Sequence, residues 1–241
     1  MRKAQVTIFV VLGIVLAAII VGLVVMRQEI AGSLQSKGII EDIYLSEEVK
    51  ELRDDVEYCL EESLKESLLL TASRGGYYKV PETAISYDGY YAPLYFDNGE
   101  ENIPSKADME RSISSAIESR IKLCNIGEAE PLSEPYAETT LLEGRAEAEL
   151  QYRLVIMGSE TSSFSAEADT SFLEDFSKVK ELYNRQKNIE GVLAIGELAI
   201  LADEKDYELY FDYAEGARLY FLTFEDNGRP SAFAFAIRNE G

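Results

Sequence analysis

"SEEVKELRDDVEYCLEESLKESLLLTASRGG", residues 46–76, places Val49, Leu52, Val56, Cys59, Leu60, Leu64 and Leu68 three and four positions apart. That spacing gathers them on one face of an α-helix, because side chains at i, i+3 and i+4 lie one above another. Ser46 stands where an N-cap belongs, and Glu47 and Glu48 suit the exposed N–H groups of a first turn. Gly75-Gly76 can take the left-handed conformation that closes the last turn. The pattern predicts a helix over residues 47–73.

A second stretch, "IPSKADMERSISSAIESRIKLCNIG" (103–127), repeats the logic. Ser105 and Asp108 have the spacing of a capping box, and Met109, Ile113, Ile117, Ile121 and Cys124 share one face before Gly127 ends the helix. The only two cysteines, Cys59 and Cys124, therefore sit on apolar faces of two helices. If the domain lies outside the cytoplasm, a Cys59–Cys124 disulfide is the natural pairing. It would close a loop of about 65 residues, worth on the order of 4 kcal/mol in the chain-entropy view. The alternative is two reduced, buried cysteines acting as small hydrophobes. No Cys-x-x-Cys motif is present, which argues against a catalytic disulfide.

Between the helices Tyr77, Tyr78, Tyr87, Tyr90, Tyr91, Tyr95 and Phe96 crowd a segment punctuated by Asp88-Gly89, Asn98-Gly99, Pro81 and Pro93. Turn dipeptides between aromatic runs predict short strands or hairpins. Tyr87, Tyr90, Tyr91 and Tyr95 are the candidate binding surface, since each pairs an apolar ring with a polar tip suited to a sugar or a protein. The competing role is structural, as lids over a helix pair. "DNGEEN" (97–102) invites a calcium reading but lacks the alternating oxygen ligands of an EF-hand loop.

Beyond Gly127, "EAEPLSEP" reads as a linker, and strands are expected near 136–142, 146–157 and 161–168. "SFLEDFSKVKELYNRQKNIEG" is amphipathic through Phe172, Phe176, Val179 and Tyr183, and "VLAIGELAILADE" reads as a further helix. The tail carries three strands, "YELYFDYA", "ARLYFLTF" and "SAFAFAIR", the last two joined across Asn227-Gly228. Leu219, Phe221 and Thr223 alternate with Tyr220, Leu222 and Phe224, so both faces of that strand are apolar and the sheet should be covered on both sides.

Ahead of all this, Val6–Met26 forms a run of 21 residues whose only polar side chain is Thr7. As a helix it would extend roughly 30 Å, enough to cross the hydrocarbon core. A secretory signal has a shorter core and an A-x-A-like exit, and here the run continues through Ala17-Ala18 into Ile19, Ile20 and Val21. An uncleaved anchor is the expectation. A buried helix of a soluble protein would carry a polar face, which is missing. Arg2 and Lys3 before the span favour a cytoplasmic N-terminus and an extracytoplasmic remainder.

The 241-residue chain carries a formal net charge of −21. Setting aside Arg2, Lys3 and Arg27 leaves 20 basic against 44 acidic residues, a net −24 beyond the span. Such acidity argues against nucleic acid or anionic lipid as a partner of that part. Histidine is absent, which removes Ser-His-Asp and Cys-His catalysis and His-ligated zinc. Adjacent acids such as Asp54/Asp55 and Glu61/Glu62 point in different directions on a helix and read as solvated surface. Neither an enzyme, a cofactor nor a metal site is expected.

"KAQVTIF" resembles the class III signal sequence of archaeal type IV pilins and archaellins. Carried over, Lys3 and Ala4 would flank the cut and Gln5 would become the mature N-terminus. Phe9 departs from the pattern, because the family usually has Glu there, and that carboxylate can pair with a neighbouring terminal amine in a filament. Together with "CLEESLKESLLLTASRGGYYKVP", "YYAPLYFDNGEENIPSKADME" and "FAFAI", the leader is similar to a set of single-pass membrane proteins of small-genome archaea. The resemblance implies a membrane-anchored surface protein with a two-cysteine helical module and a β-rich C-terminal part, and it implies no activity.

The expected fold class is α+β: a membrane anchor over 1–33 (span 6–26), a helical module with a tyrosine-rich β insertion over 34–127, and a 128–241 domain. In that last domain an antiparallel sheet packs with helices and ends in a hairpin. The expected function is that of an anchored extracytoplasmic surface protein, pilin-like in one form, acting by protein interaction. The alternative is an anchored glycan- or protein-binding module that uses the tyrosines. Expected partners are the lipid bilayer and other surface proteins or pilin-like subunits.

Overall fold

A computed structural model describes residues 47–189, 195–226 and 229–239. The anchor over 6–26, the processing residues Lys3, Ala4 and Gln5, the Ser46 cap and the Asn227-Gly228 turn lie outside the described residues. No helix among the described residues is long and apolar enough to cross a membrane.

The chain is α+β. Helix α1 spans Glu47–Ser73. Leu52, Val56, Leu60, Leu64, Leu68 and Ala72 are all buried along it. A step of four residues overshoots a full turn by about 40°, so from Leu52 to Ala72 this stripe winds about 200° round the axis. Ser63, Ser67 and Thr71 are buried as well. The C-terminal half of α1 is thus covered from several sides, where a surface helix would be covered from one. The helix ends as the glycines predict: the Gly76 N–H bonds the Thr71 carbonyl and the Gly75 N–H the Ala72 carbonyl, both at 2.8 Å, with Gly75 at φ +62°. This is a Schellman closure.

Two hairpins follow. Strand β1 (Ile85–Tyr87) pairs with β2 (Tyr90–Ala92) across Asp88-Gly89, and β3 (Leu94–Asp97) pairs with β4 (Glu100–Glu101) across Asn98-Gly99. All four turn residues have positive φ, the requirement of a type I′ turn. Helix α2 (Lys106–Ile121) begins with the expected capping box between Ser105 and Asp108 and buries Met109, Ile113, Ala116, Ile117 and Ile121.

A four-stranded antiparallel sheet comes next: β5 (Glu130–Pro131), β6 (Tyr136–Leu142), β7 (Arg145–Ile156) and β8 (Ser159–Asp169). Strand β7 is central, with β8 on one side and β6 and β5 on the other. One face buries Leu141, Ala148, Leu150, Leu154 and Phe164, while Glu138, Glu147, Glu149 and Glu167 alternate with them in sequence. Such a sheet is half-solvated, and its outer face carries much of the acidity. Helix α2 lies along the open edge of β6. Glu118 accepts from the Ala137 N–H at 3.1 Å, Ser114 bonds the Thr139 hydroxyl at 3.1 Å, and Glu110 accepts from the Leu141 N–H at 2.9 Å. Four helical residues rise about 6 Å and two strand residues about 6.8 Å, so one helix row matches alternate strand positions.

Helices α3 (Phe172–Gln186) and α4 (Ile195–Lys205) lead into β9 (Glu208–Ala214), β10 (Ala217–Asp226) and β11 (Arg229–Arg238). The second sheet has the order β4-β3-β11-β10-β9 and is mixed, because β3 runs parallel to β11. Residues Glu51–Gly241 form one compact unit, and the β3–β11 pairing joins segments on either side of residue 127. Local patterning carries no signal for a pairing between strands more than a hundred residues apart.

Both faces of this sheet are covered, as the alternation in β10 requires. On one face Tyr220, Leu222, Phe224, Phe233 and Phe235 join a single core with α1, α2, α3 and the buried face of the first sheet. On the other, Leu219, Ala217, Ala234 and Ala236 pack with Ile85 and Ala92 of the β1–β2 hairpin. The tyrosine-rich segment is therefore a lid over a sheet, where a lid over a helix pair was the structural expectation. Cys59 and Cys124 are bonded as a disulfide, with Cα atoms 6.2 Å apart and a sequence separation of 65.

Candidate functional site

The β1–β2 lid stops short of the end of the sheet, and a cluster of rings stands at its margin. Ile85 and Tyr87 share one side of β1, and their partners Ala92 and Tyr90 share the same side of β2. Ile85 and Ala92 are buried, whereas Tyr90, at the hairpin tip, overhangs Phe221 of β10. Tyr210 is the direct cross-strand neighbour of Phe221, and Asp212 follows it on the same side of β9. The rings of Tyr87, Tyr90 and Tyr210 surround Phe221 with centroids 6.1, 5.9 and 5.8 Å away.

Asp212 ties the cluster together. One carboxylate oxygen accepts from the Tyr87 hydroxyl and, at 3.0 Å, from the Tyr210 hydroxyl, while the other accepts from the Tyr213 N–H at 2.7 Å. These three donors, Tyr87 first, hold the Asp212 carboxyl below its ordinary value of 3.8. In return the bond to Asp212, with a smaller contribution from Tyr210, raises the Tyr87 phenol well above its ordinary range. The Tyr87 and Tyr210 tips are thereby oriented, while Tyr90 and Tyr210 remain 57% and 55% exposed. Rings held in this way offer a platform with both stacking and hydrogen-bonding capacity.

Of the tyrosines singled out by sequence, Tyr87 and Tyr90 belong to this platform. Tyr91 is 45% exposed but lies on the opposite side of β2, with Ser86 as its strand partner. Tyr95 is not a surface residue at all. It is fully buried, stacked on Phe235 at 5.0 Å, and its hydroxyl donates to the Gly75 carbonyl at 2.8 Å. Burial pushes its phenol well above the ordinary range. Phe221, Tyr210 and Asp212 were not among the candidates. They lie more than a hundred residues away in sequence, and the one available signal was the unusual density of aromatics in "YELYFDYA" and "ARLYFLTF".

The other sequence candidates lie away from this cluster. Glu61 and Glu62 both bind Lys65, at 2.6 and 2.9 Å, and their hydrogen bonds raise that ammonium's pKa. Asp54 and Asp55 are exposed. In the 97–102 turn Asp97 pairs with Arg238 at 3.4 Å and Glu101 with Lys187 at 2.5 Å. No group of three or more acidic or cysteine side chains that could hold a metal occurs among the described residues.

A cleft of about 610 Å³ opens between α1, the end of β8 and β11, floored by Leu68, Phe172 and Phe233. Its one cation is Lys65, already held between Glu61 and Glu62. The tyrosine platform, with its ring faces open, is the better candidate. Comparison with protein-family models and with curated proteins finds no match for this chain.

Proposed function

We propose that the chain is a membrane-anchored surface protein whose α+β domain lies outside the cytoplasm and acts by binding. The Cys59–Cys124 disulfide carries this reading, because cytosolic thiols are kept reduced and such bonds persist outside. The apolar run over 6–26 supplies the anchor, and Arg2 and Lys3 the N-in orientation. Processing before Gln5 and assembly with pilin-like subunits form the stronger version of the same proposal. N-terminal sequencing of the chain recovered from membranes tests it. A start at Gln5 supports the pilin-like form and a start at Met1 or Arg2 a plain anchor, whereas recovery in the soluble fraction with both thiols free removes the proposal.

The ring cluster about Phe221 favours a second component, a contact surface for glycan or protein. Tyr90→Ala and Tyr210→Ala should weaken binding to immobilised envelope polysaccharide or surface protein from the native cell. Tyr91→Ala, on the other side of the hairpin, should not. Wild-type binding by both of the first two variants removes the platform from the function.

A further inference from the structure

The order of the second sheet ends at β9, and no further strand pairs with it among the described residues. The two-residue turn Glu215-Gly216, with φ +50° and +75°, makes Ala214 and Ala217 a bonded pair. Alternation along the ladder then turns the backbone groups of Leu209, Phe211 and Tyr213 away from β10. Proline, lysine and a bulge against β10, which usually blunt such an edge, are missing from "ELYFDYA". Of the outward donors the Tyr213 N–H is held by the Asp212 carboxylate at 2.7 Å, and the N–H groups of Leu209 and Phe211 remain turned outward. Its burial is also distinctive, for not one of its seven residues is buried. A seven-residue edge rich in aromatics on both faces is a template for another strand.

We infer that β9 is a homotypic docking edge that pairs antiparallel with β9 of a second copy of this chain, centred on Phe211. The charge pattern selects both partner and register. Outward-facing residues are odd-numbered and must meet odd-numbered ones. Centring on Phe211 sets Phe211 against Phe211, Leu209 against Tyr213, Tyr210 against Asp212 and Glu208 against Ala214 of the second copy. No like charges face each other, each Asp212 meets a tyrosine, and each Tyr213 N–H exchanges the Asp212 carboxylate for the Leu209 carbonyl of the second copy. Slipping the pairing by two positions in one direction sets Asp212 against Asp212; slipping it in the other sets Asp212 against Glu208. Like charges directly opposite destabilise a pair, so the central register, which also pairs all seven residues, is favoured over both of its neighbours. The pairing would join the two sheets edge to edge and bring the platforms of both copies, each containing Tyr210 and Asp212, beside the shared axis. It rests on the edge alone and is independent of the anchor.

Sedimentation of the full chain in detergent, with the wild type and two variants, tests the pairing. The wild type should reach the mass of two 27.0 kDa chains. Tyr210→Asp puts two carboxylate pairs across the axis and should weaken association roughly tenfold, whereas Tyr210→Lys replaces them with attractive pairs and should strengthen it. Opposite responses at one half-exposed position separate pairing from a folding defect, which would lower both. Phe211→Cys should form an interchain disulfide on mild oxidation, because paired Cα atoms there stand about 5.5 Å apart. Glu208→Cys alone should not, while a mixture of Glu208→Cys with Ala214→Cys should. A monomer at every concentration overturns the inference. So does a dimer indifferent to both Tyr210 variants and without the Phe211→Cys cross-link.

Discussion

The Tyr95 hydroxyl donates a 2.8 Å hydrogen bond to the carbonyl of Gly75, tying the β3 strand to the closure of helix α1. The ring continues a stack, Tyr95–Phe235–Tyr220, with centroids 5.0 and 4.9 Å apart across three adjacent strands. Tyr95→Phe keeps the stack and strands a buried carbonyl, so it should cost about 1–3 kcal/mol in denaturant unfolding. Tyr95→Ala, which also opens a cavity, should cost about 3–5 kcal/mol. Loss of surface binding by a fully folded Tyr95→Phe would contradict this structural role.

Gly75 is constrained twice. Its φ is +62°, and a Cβ there would meet the Ala234 carbonyl oxygen and stand 2.6 Å from Pro93 Cγ. Gly75→Ala should therefore cost about 3 kcal/mol, combining left-handed strain with overpacking. Gly99→Ala is the control: φ is +99° but nothing lies within 4 Å of the added carbon. It should cost only about 1 kcal/mol, and equal losses at the two sites in thermal unfolding would show that the close approach does not matter.

Reduction of the Cys59–Cys124 bond releases a 65-residue separation in the unfolded chain. The expected loss is on the order of 4 kcal/mol, read as a shift in denaturant midpoint with and without reductant. A shift below about 1 kcal/mol would mean that the helices are held by packing alone.

Glu110 and Glu118 stand in for a neighbouring strand on the β6 edge. Glu110→Ala leaves the Leu141 N–H without its 2.9 Å partner and should cost about 1–3 kcal/mol. Light scattering should register aggregation as well, since an uncovered edge invites pairing. Glu110→Gln retains an acceptor and should restore most of the stability. If glutamine is as harmful as alanine, the edge contact is not the reason.

The Tyr87–Asp212 bond has a defined pH signature. Because the folded Asp212 pKa lies below 3.8, its contribution is present above that value and is lost as pH falls through the lower, folded one. Tyr87→Phe removes the largest of the three donors and should move the Asp212 titration, followed by carboxyl-carbon NMR, back toward 3.8. An unmoved titration would mean that the Tyr213 N–H and the Tyr210 hydroxyl alone depress it.

Local periodicity and turn chemistry made much of the secondary structure legible. The α1 C-terminus, the Schellman glycines, the Ser105 capping box and the Asp88-Gly89 and Asn98-Gly99 turns all follow from interactions within about five residues. Cys59 falls on the α1 helix as its periodicity predicts, whereas α2 ends at Ile121 and leaves Cys124 in the turn beyond it, short of the helix expected to run on toward Gly127. The candidate surface was legible by half. Tyr87 and Tyr90 stood out as aromatics beside a turn, but nothing local distinguished Tyr90, on the platform, from Tyr91 behind it or from Tyr95 in the core.

What the sequence alone determined is the inventory of elements and the demand that both faces of β10 be covered, since hydrophobic alternation is a property of the strand itself. Only the tertiary structure decided what covers them. The parallel pairing of β3 with β11 draws the β1–β2 hairpin over the outer face, sinks Tyr95 into the core and leaves Tyr87 and Tyr90 against Phe221. The physical reason lies in the range of the forces. Helix caps and turns are settled by neighbours in the chain, whereas burial depends on which distant surfaces meet, and a ring is equally apolar in either place.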